Sequence, residues 1–67
     1  MMLPGERKIL VGIARLLREG RTVRHPPTIN DDAASLAQRG LIAFQGGTVV
    51  LTRRGVTAAS NEMRKSG

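Results

Sequence analysis

Cysteine, tryptophan and tyrosine are all absent from this chain. Without cysteine there can be no disulfide, no zinc–thiolate site and no thiol nucleophile. Phe44 is the single phenylalanine, so a core must be assembled from Leu, Ile, Val and Ala. A hydrophobic fraction of 40% makes that feasible. The single histidine, His25, has no cysteine or acidic cluster beside it and no nucleophile to serve. It reads as an exposed loop residue before Pro26 rather than as a metal ligand or a catalyst. Long apolar runs are missing too. Residues 9–17 are interrupted by Gly12 and Arg15, fall short of a bilayer span, and lack a small-residue cleavage pattern after them. Neither a membrane span nor a leader is expected, and the cytoplasm is the default location.

Acidic residues are also scarce, five Asp and Glu against eleven Lys and Arg, for a formal charge of +6 on 67 residues. Such an excess creates a field that concentrates polyanions, nucleic acid first and an acidic protein surface next; the bland alternative is solubility alone. The length allows one domain, residues 1–67, with an ordered core at about 6–63. Domains this small bury only about 60% of the surface their unfolded chain exposes, so self-association into a homodimer would add stability.

Along the chain, Ile9, Leu10, Ile13, Leu16 and Leu17 recur at helical spacing and predict an amphipathic helix over about 6–19. Arg7, Lys8, Arg15 and Arg18 fall on its other side, an arrangement that is often no more than a solvated face. Gly20 suits the helix end. Residues 21–24 carry β-branched centres and could form an edge strand, and Pro26-Pro27 then excludes helix locally. A second helix should start near residues 28–31, capped by Thr28 or Asn30, with Asp31 and Asp32 at the positive end of its dipole. It should bury Ala33, Leu36 and Ala37 and stop at Gly40.

Residues 41–52 are the most informative stretch. A two-residue Gly46-Gly47 turn pairs Gln45 with Thr48, Phe44 with Val49, Ala43 with Val50 and Ile42 with Leu51. Alternation then collects Ile42, Phe44, Val49 and Leu51 on one face, with Leu41 folded back under the second helix. Thr52 is placed to cap a last helix over about 53–64, with Val56, Ala59, Ser60 and Met63 as its inward stripe and a fraying tail after it.

The pieces Leu36-Ala37-Gln38-Arg39-Gly40-Leu41-Ile42, a glycine-tipped hairpin, and Leu51-Thr52-Arg53-Arg54-Gly55 together resemble the second half of bacterial winged-helix regulators of the MarR and PadR type. The resemblance covers roughly a third of the chain and is more specific for fold than for function. It implies a compact α+β domain of three helices with a β-hairpin wing. This is a cut-down form like those of phage and prophage proteins, because residues 21–30 leave no room for a further helix. It also implies a recognition helix at about residues 31–39, with Asp31, Asp32, Ser35, Gln38 and Arg39 facing outward. Ser35, Gln38 and Arg39 could then read base edges. Gln45, Thr48, Arg53 and Arg54 would lie around the wing, with Arg21 and Arg24 joining if their segment pairs with it.

No catalytic constellation is visible. Asp31 and Asp32 point about 100° apart on a helix, and Gly46-Gly47 is accounted for by the turn, so no enzyme activity, cofactor or metal is expected. Two function classes remain. One is a double-stranded DNA-binding transcriptional regulator acting as a dimer. The other is a small module that docks on and modulates a partner protein. Arginines gathered on one surface with the wing would favour DNA; scattered arginines and an exposed apolar patch would favour the protein partner.

Overall fold

The computed structural model describes residues 2–24 and 31–66. In chain order these form α1 (Pro4–Arg18), β1 (Val23–Arg24), α2 (Asp31–Gln38), β2 (Ile42–Gln45), β3 (Thr48–Leu51) and α3 (Arg53–Ser66). The expected α+β architecture is present, including the edge strand within residues 21–24. All pairings are antiparallel in the order β1-β3-β2, so the sheet is completed by a strand from before α2. The arrangement is winged-helix-like. The Pro26-Pro27 loop, the Thr28 and Asn30 capping alternatives and the environment of His25 lie outside the described residues.

Local chemistry sets the helix limits. Pro4 occupies the first turn of α1, where a missing amide proton costs nothing. Glu6 reaches back so that its Oε1 accepts the Leu3 N–H at 3.0 Å, half of a capping box. α1 therefore starts two residues before the position that apolar spacing implied. Both α1 and α2 end in a Schellman motif. Gly20 N–H donates to Leu17 O and Arg21 N–H to Leu16 O, while Gly40 N–H donates to Ala37 O and Leu41 N–H to Leu36 O, all between 2.9 and 3.0 Å. The closing residue in each case has a positive φ, 82° at Gly20 and 74° at Gly40, a backbone conformation that glycine adopts without strain.

The hairpin register is as alternation predicted: Ile42 opposite Leu51, Ala43 opposite Val50, Phe44 opposite Val49 and Gln45 opposite Thr48. Gly46 and Gly47 both have positive φ, the turn geometry whose twist matches the strands. Ile42 and Val49 are buried with Leu10, Ile13, Leu36 and Ala59; Phe44 and Leu51 pack against that cluster half-buried. The core thus lies between the inner sheet face and all three helices.

Thr52 caps α3 as expected, its Oγ1 accepting the Gly55 N–H at 3.0 Å and donating to Gly40 O at 2.5 Å. The inward stripe of α3 differs from expectation. Ala59 is buried and Met63 half-buried, but Ser60 is exposed and Val56 is 51% exposed. The reason is Gly55, which is itself buried. A Cβ built on it would overlap the Leu41 carbonyl oxygen, the same oxygen that accepts the Thr52 N–H at 3.1 Å. The helix start is pressed onto this backbone corner, so the buried face runs through 55 and 59, one residue round from the expected stripe. Leu41 packs against the core cluster that contains Leu36 of α2 and also lines a shallow hollow with Thr57 and Ala58 of α3. α3 also continues to Ser66 instead of fraying at 64.

Candidate nucleic-acid interface

The wing presents one polar row. Arg24 of β1 sits opposite Thr48 of β3, which sits opposite Gln45 of β2. The adjacent row, Val23–Val49–Phe44, faces the core, so strand alternation turns Arg24, Thr48 and Gln45 to the outer face beside the glycine tip. Arg24 and Gln45 are exposed. The Thr48 hydroxyl donates to Gln45 O at 2.7 Å, tying the row at the turn. The expected meeting of Arg24 with the wing therefore occurs.

Arg53 and Arg54 are exposed at the opposite end of the hairpin, on the first turn of α3. The Arg54 guanidinium lies beside Gly40, and thus beside the α2 end that carries exposed Gln38 and Arg39. Arg21 stands apart, its Nε 3.4 Å from Glu19 Oε1, with both side chains more than half exposed. An ion pair in that setting contributes little.

Two of the expected recognition-helix residues are engaged inside the protein. The Ser35 hydroxyl donates to Glu6 Oε2, and Arg39 Nη2 lies 3.5 Å from Glu6 Oε1. Glu6 is wholly excluded from solvent yet fully partnered. The Ser35 hydrogen bond, then the Leu3 amide, and more weakly the Arg39 charge hold its pKa below the ordinary glutamate value against the opposing effect of burial. Asp32 is half-buried, its carboxylate packed against Gly5. Asp32, Ser35, Leu36 and Arg39 therefore form the α1-facing stripe of α2, at i, i+3, i+4 and i+7. The placement of Asp32 and Ser35 on the outward side is corrected accordingly; of the five, Asp31 and Gln38 are exposed, and Arg39 is 43% exposed while paired.

Sequence reasoning missed Glu6 altogether. Its one signal was its position three residues after Leu3, in front of an apolar helix, where a glutamate closes a capping box. It also missed an open apolar groove of about 630 Å³ between α1, β3 and α3, lined among others by Leu17, Val50, Leu51, Val56 and Met63.

Among the described residues no three His, Asp or Glu side chains are grouped to hold a metal ion, and no helix is long and apolar enough to cross a membrane. No protein family, curated protein or solved structure matches the chain.

Proposed function

We propose that this protein binds duplex DNA through the outer wing face and acts as a transcriptional regulator. The observation that carries this reading is the Arg24–Thr48–Gln45 row beside the glycine tip. A flat row offering an exposed arginine and the Gln45 side-chain amide suits phosphates and the minor groove. The +6 charge and the winged-helix-like arrangement support it, whereas the separation of Arg21, Arg53 and Arg54 from that row and the open apolar groove favour the second reading below. The homodimer belongs to the same reading, and sedimentation at micromolar concentration should give twice the chain mass. Binding to random-sequence duplex, measured against salt, is the direct test. Four to six phosphate contacts correspond to a slope of log affinity on log salt of about −4 to −5. Arg24→Ala should flatten it by about 0.9 while leaving thermal unfolding unchanged. A chain that binds no duplex at low salt contradicts the proposal.

A second reading has its own observation. Ser35 and Arg39, the polar groups best suited to base edges, are held by Glu6, and an apolar groove stands open with Val56 exposed on its wall. A docking module for a partner protein uses those features better than a DNA reader does. Absence of duplex binding would leave this reading standing.

A further inference from the structure

The wing leaves most of the chain's positive charge unused. Arg7, Lys8, Arg15 and Arg18 are all exposed on α1. At 100° per residue they fall within an arc of about 100° centred on Val11, and they extend about 16 Å along the axis. No acidic residue neutralises them. Glu6 is buried with Ser35 and Arg39, Glu19 pairs with Arg21, Glu62 pairs with Lys65, Asp32 packs on Gly5, and Asp31 begins α2. Between the cations the surface is concave, a hollow of about 510 Å³ floored by Val11 and Gly12. Nothing lies within 4 Å of the space a Cβ on Gly12 would fill, so an incoming group can approach the helix backbone closely.

This face looks away from the wing. α1 turns Leu10 and Ile13 into the core cluster that holds Val49 of the inner sheet face, so Arg7, Lys8 and Arg15 point away from the Arg24–Thr48–Gln45 row, while Arg18 also borders the groove lined by Val50. A single duplex cannot lie against both. We propose that the outer face of α1 is a second phosphate-backbone surface, and that one molecule holds two DNA duplexes together. The recognition is electrostatic. A stretch of duplex as long as the cation stripe carries about ten phosphate charges, while the stripe has no array of base-reading amides. Because bridging needs both faces, the inference rests on the wing reading.

The test uses the full chain, one random-sequence duplex fixed to beads and a second, fluorescent duplex in solution. The wild-type chain should capture the second duplex. The variant Arg7→Gln, Lys8→Gln, Arg15→Gln, Arg18→Gln should still bind one duplex but lose capture, and the salt slope of its total binding should flatten by about 3.6. The variant Arg24→Gln, Arg53→Gln, Arg54→Gln should also lose capture while still binding one duplex through α1. If the quadruple variant unfolds, the pairs Arg7→Gln/Lys8→Gln and Arg15→Gln/Arg18→Gln should each flatten the slope by about 1.8.

Capture by the α1 variant equal to wild type overturns this inference and leaves the wing reading intact. Full one-duplex affinity in the wing variant, with none in the α1 variant, overturns the wing reading and the bridge together while placing DNA on α1. Binding of phosphatidylserine vesicles that depends on the α1 cations, with no binding of duplex, also overturns it and makes the face a membrane surface.

Discussion

Two glycines with opposite surroundings show how single residues act here. Gly55 is buried against the Leu41 carbonyl, where a Cβ would collide with backbone, whereas Gly12 has open space. Alanine is the better helix former by about 1 kcal/mol at either site. At residue 12 that preference is unopposed, and Gly12→Ala should raise stability by about 0.5–1 kcal/mol. At residue 55 the collision outweighs it, and Gly55→Ala should lower stability by about 1–3 kcal/mol. Urea unfolding of both variants measures the difference, and equal effects would refute the packing of α3 on Leu41. Glu6 supplies a test by pH. Its carboxylate is stabilised in the folded state, so its contribution is fully present above the ordinary glutamate value of 4.5 and is lost as pH falls through the lowered folded value. Glu6→Gln should flatten the acid side of the melting-temperature profile, and Ser35→Ala should do so in part.

At the scale of elements, α2 is held to α1 along one stripe. Leu36 lies in it with no exposed surface, and Ser35 and Arg39 both engage the Glu6 carboxylate beside it. Leu36→Ala should therefore cost about 2–5 kcal/mol. Phe44→Ala should cost less than the 3–5 kcal/mol of a fully buried phenylalanine, because the ring is only half-buried. A chemical denaturation series in which Phe44→Ala is the more damaging of the two would contradict the deeper burial of Leu36. The hairpin's register is more robust. A slip by one residue would turn Ile42 and Val49 to solvent together, so the glycine turn and the apolar pattern enforce the same pairing.

For the whole molecule, the arrangement of charge matters more than its total. Arg24 lies on the wing edge, Arg54 at the corner beside Gly40, and Arg7, Lys8, Arg15 and Arg18 on the outer face of α1. The molecule measures 31 × 25 × 17 Å, narrow enough for ligands on opposite faces to lie close together. Sequence counts see +6 as one quantity and are silent on this division. A binding isotherm with two duplex sites per chain is the expected outcome, and a single site removed by the wing substitutions alone would contradict it.

Periodicity together with local turn and capping chemistry determined the element order, the glycine helix ends, the hairpin register and the Thr52 cap, because each depends on residues near one another along the chain. The third strand was readable only as a possibility, since two residues become a strand only when β3 offers them hydrogen bonds. Tertiary structure decided the rest. A helix's polar residues show from sequence which are separated by a turn, but not which turn faces a neighbour. Ser35 and Arg39 looked outward because they are polar, and α1 claims them because Glu6 waits there for partners. Val56 looked inward because it is apolar, and the Gly55–Leu41 contact rotates it to the surface. The groove and the separation of the two cationic faces likewise exist only once α1, the sheet and α3 are packed together.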